Sequence, residues 1–329
     1  MILAIESSCD DSAIALIDIQ TLNIVYEAKT SQNEAHKPFG GVVPELAARL
    51  HAENLPKLLT GVKPYLSNVK AIAVVNEPGL TVALAEGVIM AQSLSIALKL
   101  PVLPIHHIKG HLYSLFLQKP TDFPLSAAMV SGGHTLLIEA QDYSRVRQTA
   151  ISLDDALGEA FDKAAKMLNL DYPNGSALEA AALLGDENRF GFPLPLKNDP
   201  KLAFSFSGLK NSLRLAIESL NAIDAQTAAD MAASFQKAAI AHLLDKTRSY
   251  MRRARPKKMG LIGGASANKT LRKRFAAACQ EFDCAPLFAP IEYCGDNAAM
   301  IARAAIEAYE RGLFCDPSKI QIRSRAPLL

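Results

Sequence analysis

The feature that most constrains the fold of this chain is a pattern of strands and turns that occurs twice. "MILAIESSCDDSAIALID" at 1–18 and "PLSAAMVSGGHTLLIEA" at 124–140 each place two short apolar runs around a polar turn, which is typical of a β-hairpin. In each half a later apolar run leads through a turn into a helix, at 70–80 and at 257–275. The order therefore predicts a duplicated α/β chain, whose two lobes would place their turns on opposite walls of one cleft.

Helical periodicity predicts several connecting helices, at 153–168, 230–254 and 296–312. The first has an apolar stripe at helical spacing, made of Leu157, Phe161, Ala164 and Leu168. The third should end at Gly312. A further helix should begin in "FSFSGLKNSL", with Ser205 or Ser207 as its N-cap.

The composition excludes several classes of protein. With 329 residues and 50% hydrophobic residues, the chain can form two lobes with buried cores. The apolar stretch 87–105 contains polar residues and two prolines, which favours a buried element over a bilayer span. The N-terminus lacks a basic region before its apolar run, and the 5 cysteines form no CxxC pair. We therefore expect a cytoplasmic protein with reduced thiols and no zinc ribbon.

Two basic clusters, at 252–258 and 268–275, stand out against a net charge of only +2. Lysine and arginine side chains in such clusters can bind the phosphates of a nucleic acid. The solvated faces of a helix end and a loop explain them equally well. The charge pattern leaves both interpretations open.

His107 and His111 are four residues apart, directly after an apolar run that predicts a strand. Side chains at positions i and i+4 share a helix face, so the two imidazoles could bind one metal ion. Buried histidines that bond to the backbone are the alternative. A zinc protease of the HExxH type would need glutamate at the position of Ile108, so peptide hydrolysis is disfavoured.

Two glycine-rich turns follow predicted strands, "VSGGHT" at 130–135 and "IGGASAN" at 262–268. Such turns let backbone N–H groups approach an anion, although a plain hairpin turn has the same composition. Asn268 could bind a ligand or cap the next helix. Asp296 in "CGDNAAM" is an N-cap or an oxygen ligand for a metal, and Asp162 could pair with Lys166.

Nine motifs in this order resemble the family of tRNA N6-adenosine threonylcarbamoyltransferases, formerly called O-sialoglycoprotein endopeptidases. They are "ESSCDDS", "GGVVPELAARLH", "HHIKGHLYS", "VSGGHT", "DDALGEAFDKAAKML", "YPNG", "FSFSGLKN", "GGASANKTLR" and "YCGDNAAMIA". The resemblance spans nearly the whole chain. It implies the duplicated α/β fold of actin, sugar kinases and heat-shock chaperone ATPases (the ASKHA fold), with two lobes around a nucleotide cleft. The expected lobes are 1–120 and 121–329, with the last helix, about 296–312, free to pack back on the N-terminal lobe.

The resemblance also implies the site residues. One divalent metal per subunit, with Fe(II) favoured and Zn(II) as the alternative, would be bound by His107, His111 and Asp296. The residues implied to hold the adenylate substrate are Val130, Ser131, Gly132, Gly133, His134, Asp162, Gly175 and Asn268. Asp10 matches an acidic residue that the family places near the reacting group, and we predict that it removes the N6 proton.

The implied reaction transfers a threonylcarbamoyl group from threonylcarbamoyl-adenylate to N6 of adenosine 37 in tRNAs that read codons beginning with A, and releases AMP. The implied protein partners are a degenerate paralogous subunit (TsaB-like) and an accessory ATPase (TsaE-like). The alternatives are an ATPase or sugar kinase of the same fold and a nucleotide-binding scaffold subunit without transfer activity. The histidine pair disfavours a kinase, which would hold Mg²⁺ mainly with carboxylates.

The chain departs from the family pattern at three places. Asp11 stands where the family usually has glutamate, Glu77 replaces the first glycine of a Gly-Pro-Gly turn, and Ala326 replaces a tryptophan near the C-terminus. These changes spare the implied metal and nucleotide positions.

Overall fold

The structure is a computed structural model that describes residues 1–170, 174–197 and 199–328. The described chain divides into two compact units, Pro124–Gly295 and a first unit that combines Met1–Phe123 with the chain from Asp296 onward. The sequence analysis assigned 121–329 to the second lobe but left open whether the last helix, about 296–312, packs back on the first. The chain from Asp296 onward belongs to the first unit, because its helix packs on the strands of the first sheet.

Strands of four to eight residues form the two sheets. They are β1 (Ile2–Glu6), β2 (Asp11–Ile17), β3 (Ile24–Ser31), β4 (Ala71–Glu77), β5 (Val102–His106), β6 (Leu125–Val130), β7 (Thr135–Ala140), β8 (Val146–Ile151), β9 (Lys258–Ile262) and β10 (Ala285–Phe288).

Helices connect and cover the strands. They are α1 (Asn33–His36), α2 (Pro44–Leu59), α3 (Thr81–Leu98), α4 (His107–Tyr113), α5 (Leu157–Met167), α6 (Asn174–Ala182), α7 (Ser207–Glu218), α8 (Ala225–Ala254), α9 (Lys269–Gln280) and α10 (Ala298–Glu310). Short 3₁₀ turns link several of them.

The two sheets have the same topology, which confirms the predicted duplication. The first has the order β3-β2-β1-β4-β5 and the second β8-β7-β6-β9-β10. In each, three antiparallel strands form a meander, a fourth strand pairs in parallel with the first strand of the meander, and a fifth pairs in parallel with the fourth. The turn of each predicted hairpin therefore lies at the carboxyl end of the first strand, where an α/β sheet binds ligands.

The predicted connecting helices are present. The apolar stripe of α5 is buried, with Leu157 and Ala164 fully inaccessible, and it joins the core of the second unit. The helix predicted at 230–254 is α8, and the one predicted at 296–312 is α10. Gly312 follows α10 with a φ of 67°, a left-handed conformation that glycine adopts without a Cβ penalty.

The predicted serine cap of α7 is wrong. The N-cap position is Phe206, which provides no side-chain hydrogen bond. The carboxylate of Asp154, from before α5, accepts instead from the N–H groups of Phe206 and Ser207 and from the hydroxyls of Ser205 and Ser207. The serines thus orient a capping aspartate that is distant in sequence, and local capping rules could not identify it.

Two of the departures from the family pattern, Glu77 and Ala326, lie in segments of the chain that contact each other. Glu77, at the end of β4, lies 3.6 Å from the guanidinium of Arg323 in the C-terminal segment. The main chain of that segment also bonds to Asn76, which donates to the carbonyl of Gln321 at 2.9 Å. The C-terminal segment therefore contacts the end of β4.

Helix α3 is long and apolar enough, by length and composition alone, to cross a membrane. One side of it packs on the first sheet, where Leu84, Val88 and Ala91 are buried. The opposite side exposes Val82, Ile89 and Ile96, with Ile96 73% exposed. Helix α3 is thus a core element of the first unit with an apolar outer stripe, which we call the α3 stripe.

His242 of α8 should make the second unit sensitive to acid. Its Nε2 accepts from the N–H of Ser205 at 3.1 Å, and burial, together with Lys246, lowers its pKa to about 4. Above pH 6.5 the imidazole is neutral in both the folded and the unfolded chain. Between pH 6.5 and 4 only the unfolded chain takes up the proton, so this contribution to the free energy of unfolding decreases as the pH falls.

We expect this decrease to be about 2 kcal/mol between pH 7 and pH 5. Urea unfolding of the second unit at both pH values measures it. His242→Gln, which keeps an acceptor but does not titrate, should show a pH dependence weaker by that amount. Equal pH dependence in both proteins would contradict the assignment.

Candidate metal centre and nucleotide pocket

Two imidazoles and one carboxylate converge in the first unit. His107 and His111 lie on α4 with their ring centroids 4.7 Å apart. Asp296 Oδ1 lies 3.4 Å from His107 Nε2 and 3.1 Å from His111 Nε2. Potential ligand atoms of the three residues all lie within 4.8 Å of one another. We call these residues the triad.

The fold brings the triad together by packing α4 on α10. His106 ends β5 and caps α4, since its Nδ1 accepts from the N–H of Ile108 at 3.2 Å. A Cβ at Gly110 would lie 2.6 Å from the end of the Ile301 side chain on α10, so glycine there lets α4 lie close to α10 without displacing that side chain. Asp296, just before α10, thereby meets the histidines of α4.

The N-cap interpretation of Asp296 is wrong. The cap of α10 is Asn297, whose side chain accepts from the N–H of Met300 at 2.8 Å. The carboxylate of Asp296 is therefore not used for capping and bonds to the histidines. Burial raises the pKa of Asp296, but positive charge at His107 and hydrogen bonds from both imidazoles outweigh it and hold this pKa well below its usual value.

Glu6 is a second carboxylate beside the triad that the sequence did not single out. It is fully buried at the end of β1, and its Oε2 lies 3.1 Å from His107 Nδ1. Its other oxygen accepts from the N–H of Ser8 at 2.6 Å, and Ser8 Oγ lies 3.2 Å from the same His107 nitrogen. The two ring nitrogens of His107 thus face Glu6 and Asp296.

The two histidines differ in their electrostatics. Burial lowers the pKa of His107, but the carboxylates of Asp296 and Glu6 outweigh it and raise the pKa to about 10. Burial lowers the pKa of His111, and the nearby His107 adds to this effect. The carboxyl groups of Asp296 and Glu6 therefore favour the protonated form of His107, whereas burial favours the neutral form of His111.

Lys29 of β3 contacts two acidic residues of this region. Its ammonium lies 2.6 Å from Asp11 Oδ2 and donates to the main-chain carbonyl of Asp296 at 2.8 Å. Burial raises the pKa of Asp11 to about 6, while Lys29 acts in the opposite direction. Lys29 thereby ties the start of β2 to the segment that carries Asp296.

Asp10 lies in the turn between β1 and β2, together with Ser8. Its main-chain carbonyl accepts from the N–H of Gln32 at 3.1 Å. The turn therefore carries both Asp10 and a contact to the triad through Ser8 and His107. The catalytic role of Asp10 stays a prediction.

A pocket of about 240 Å³ lies in the second unit. It brings together four of the predicted adenylate residues: Gly132, Asp162, Gly175 and Asn268. The other lining residues come from the predicted glycine-rich turn at 262–268 and from α5 and α6, and only those on the two helices were missed by the sequence analysis, because single residues of a helix carry no local signal for a pocket. These other lining residues are Gly158, Phe161, Ser176, Glu179, Gly264, Ala265 and Ala267.

Of the predicted segment 130–134, only Gly132 lines this pocket among the described residues. Val130 is buried in β6, and the turn is closed by Ser131, whose N–H donates to the carbonyl of His134 at 2.8 Å. Part of the "YPNG" motif lies outside the described residues, although Gly175 is within them. The two predicted interpretations of the turn are therefore compatible: it is a hairpin turn, and one of its glycines faces a cavity.

The absence of a side chain has a different consequence at two glycines of the pocket, Gly158 and Gly132. A Cβ at Gly158 would lie 2.6 Å from the carbonyl of Ser131, so the close approach of α5 to the hairpin turn requires glycine. A Cβ at Gly132 would meet nothing within 4 Å. The protein itself leaves that space open, which suits a bound molecule close to the backbone.

Asn268 caps the next helix, as one of its two predicted roles requires, and the other role, binding a ligand, stays a prediction. Its Oδ1 caps α9 by accepting from the N–H of Leu271 at 2.8 Å, and its Nδ2 donates to Gln236 at 2.7 Å. It also lines the pocket. The carboxamide is thus held rigidly at the pocket wall.

The chain is similar over its whole length to proteins of one family. The family model for tRNA N6-adenosine threonylcarbamoyltransferase (TsaD) matches residues 23–303. A protein of that name from Sulfurovum sp. (strain NBC37-1) is 51% identical over 98% of this chain and 97% of its own length. Another from Wolinella succinogenes is 50% identical over the full length of both chains.

Solved structures resemble the fold at much lower sequence identity. HypF from T. kodakarensis superimposes with a TM-score of 0.62 at 14% identity, over 94% of this chain and 48% of that one. The activator of the 2-hydroxyisocaproyl-CoA dehydratase from Clostridium difficile gives a TM-score of 0.55 at 12% identity, over 94% of this chain and 96% of that one. These similarities confirm the duplicated actin-like fold.

Proposed function

Because this chain belongs to the tRNA N6-adenosine threonylcarbamoyltransferase family, we propose that it transfers a threonylcarbamoyl group from threonylcarbamoyl-adenylate to N6 of adenosine 37 in tRNAs reading codons that begin with A. AMP is the other product. The observation that supports this proposal most is the convergence of His107, His111 and Asp296, three side chains that could bind one metal ion. We assign binding of AMP to the pocket of the second unit and binding of the metal ion to the triad of the first unit.

One divalent ion, Fe(II) or Zn(II), is proposed at the triad. Two imidazoles and one carboxylate suit either ion and leave coordination positions open. Ligand atoms bound to one ion at ~2.1 Å stand roughly 3 Å apart. The distances of 3.1 and 3.4 Å from Asp296 Oδ1 to the two Nε2 atoms are comparable, so the residues fit such an ion. When bound, the ion would act as a Lewis acid on an oxygen of the threonylcarbamoyl group.

The protein has two further tasks in this reaction. The exocyclic amine of adenine is a weak nucleophile, so both reactants must be held in position and the N6 proton must be removed. Asp10 is the proposed proton acceptor. Gly132 lines the pocket without a side chain, so its main chain can approach the AMP phosphate and hold it as it leaves.

Glu6 is expected to support metal binding by orienting His107. A carboxylate that accepts from the second ring nitrogen of a metal-binding histidine typically changes metal affinity 10- to 100-fold. Glu6→Ala should therefore weaken Zn²⁺ affinity by about that factor. Glu6→Gln, which keeps an oxygen acceptor for His107 Nδ1, should lose less.

Competition with a chelator of known affinity measures this effect, and circular dichroism controls for the fold. Equal Zn²⁺ affinity of the wild type, Glu6→Ala and Glu6→Gln would show that Glu6 has no such role. Equal losses in the two variants would show that the charge matters rather than the hydrogen bond.

The basic segment 252–258 is the better candidate for contacting tRNA phosphates. In the other cluster, Arg272 donates to the carbonyl of Ala289 at 2.8 Å and Arg274 pairs with Glu187, so these arginines serve the fold of the second unit. Arg252 and Lys257 are exposed. Lys257 is only 3.9 Å from a fully exposed carboxylate of Asp283, which is a weak contact.

Arg252→Glu/Lys257→Glu should weaken tRNA binding and reduce its dependence on salt, while affinity for AMP stays unchanged. Binding of unmodified tRNA at several salt concentrations checks this. Lys57→Glu/Lys63→Glu provides a control with the same change in net charge at exposed positions of the first unit. If both double variants behave alike, the segment 252–258 is a solvated surface.

A degenerate paralogous subunit (TsaB-like) and an accessory ATPase (TsaE-like) are proposed as partners in the cytoplasm. The α3 stripe of Val82, Ile89 and Ile96 supports a helix-to-helix contact with the first of these, because its apolar side chains face outward. The small net charge also favours help from partners in holding a polyanion.

A reconstituted reaction tests the function. Unmodified tRNA, threonylcarbamoyl-adenylate and a divalent metal are incubated with the purified protein, with and without the two partners. Nucleoside mass spectrometry should detect threonylcarbamoyladenosine, and more of it with the partners. Absence of the modified nucleoside in the complete mixture would refute the proposed function.

A further inference from the structure

A cluster of buried polar side chains lies beside the turn that carries Asp10. Its members are Ser12 on β2, Gln32 and His36 around α1, and His51 on α2, and none is more than 3% exposed. They belong neither to the triad nor to the pocket of the second unit. We call them the hairpin clamp. Buried polar groups are costly unless they are paired, so their partners indicate what they hold.

The hydrogen bonds of His51 fix its tautomer. Its Nε2 lies 2.9 Å from the main-chain oxygen of Cys9, and a carbonyl oxygen can only accept, so Nε2 carries the hydrogen. Burial lowers the pKa of His51, which keeps the ring neutral. Nδ1 therefore accepts, and the hydroxyl of Ser12, at 2.8 Å, donates to it.

The same reasoning fixes His36. The Nε2 amide of Gln32 donates to the carbonyl of Ala47 at 3.3 Å, so Gln32 Oε1 is the atom that faces His36 Nε2, at 3.1 Å. His36 Nε2 must then donate. Its Nδ1 accepts from the main-chain N–H of Val43 at 3.3 Å, in agreement with this tautomer.

The hairpin clamp consists of two pairs, Ser12 with His51 and Gln32 with His36, and each pair donates a hydrogen bond to one of two consecutive carbonyl groups. His51 donates to the carbonyl of Cys9, and the main-chain N–H of Gln32 donates to the carbonyl of Asp10 at 3.1 Å. A longer contact of 3.5 Å from Gln32 Nε2 to Ser12 Oγ joins the two pairs. The carbonyl groups before and after the Cα of Asp10 are therefore both held by residues of the clamp.

We infer that the hairpin clamp is a positioning device, in which His51 and Gln32 fix the peptide groups on both sides of Asp10 and so aim its carboxylate. This inference rests on the proposed role of Asp10 as proton acceptor. A fully paired buried network favours one conformation over others, whereas apolar side chains in the same place would leave the turn free to rotate its carbonyls. Misplacement of a reacting group by about 1 Å can lower a rate ~100-fold.

The histidine tautomers give a test that does not need activity. In ¹⁵N NMR spectra of the full chain, His36 and His51 should both carry a hydrogen on Nε2, and at pH 7 the ring of His51 should be neutral. A hydrogen on Nδ1 of His51, or a charged ring, would overturn the hydrogen-bond directions and with them the clamp.

Two substitutions of His51 then separate positioning from stability. His51→Gln keeps an N–H donor that reaches about as far as Nε2, whereas His51→Asn keeps a polar group only near the position of Nδ1. We expect His51→Asn to lower the single-turnover transfer rate by about 10- to 100-fold, and His51→Gln to stay within about threefold of the wild type. Zn²⁺ affinity and circular dichroism should be equal in both variants, since the triad is intact.

The outcomes are distinguishable. If the wild type forms no product in the complete mixture, the proposed function fails, and the tautomers still decide whether the clamp exists as described. If the wild type is active and Asp10→Asn is equally active, Asp10 is not the proton acceptor and the inference is wrong. If Asp10→Asn is slow and His51→Asn is as fast as the wild type, the clamp does not position Asp10.

Discussion

His111→Ala is expected to lose most of its bound divalent metal and nearly all threonylcarbamoyl transfer, while its affinity for AMP stays the same. The variant removes one of the three groups of the triad, and Lewis-acid stabilisation of developing charge contributes several kcal/mol. Single-turnover transfer should therefore fall on the order of 1,000-fold. The AMP pocket is formed by residues of the second unit, none of which lies near His111 in sequence.

Three measurements on one preparation check this division of roles: metal content by mass spectrometry, AMP binding by calorimetry, and single-turnover transfer. His106→Asn is the matched control, because it removes the neighbouring imidazole but keeps a side-chain acceptor for the N–H of Ile108. The control should retain metal and transfer. Wild-type metal content and transfer in His111→Ala would mean that the histidine pair is structural.

The sequence predicted the fold well because the information is local and repeated. Each hairpin has apolar strands separated by a polar turn, and each later strand runs directly into a helix, so short-range patterns give both the elements and their order. The identical strand orders of the two sheets follow from that repetition. The local pattern did not decide which lobe α10 packs on. The helix is buried on almost all sides, so its packing partners follow only from the tertiary structure.

The candidate metal centre was only half predictable from residue patterns. His107 and His111 share one turn of helix, and helical spacing alone pairs them. Asp296 joins them across 185 residues, and its local sequence suited an N-cap equally well. Glu6 and Lys29 lie on strands, where the alternation of side chains predicts only which face of the sheet a residue occupies. Their contacts to His107 and Asp296 depend on strand order and on the packing of α4 against α10.

The second large effect is expected at the pocket. Gly132→Leu should weaken AMP binding on the order of 100-fold, or about 2.7 kcal/mol. Gly132 lines the pocket and a Cβ there meets nothing within 4 Å, so a leucine side chain is tolerated by the protein but occupies space assigned to the ligand. Metal content should stay at the wild-type level, since the triad belongs to the first unit.

Gly133→Leu is the matched control for this substitution. Gly133 is the next residue of the same turn, it is equally exposed, and a Cβ there also meets nothing within 4 Å, but it does not line the pocket. Any general effect of leucine on the turn should appear in both variants, whereas obstruction of the pocket should appear only in Gly132→Leu. Calorimetry with AMP and circular dichroism compare them. Wild-type AMP affinity in Gly132→Leu would show that the nucleotide binds elsewhere, because a ligand held against the backbone of Gly132 cannot share its place with four additional carbon atoms.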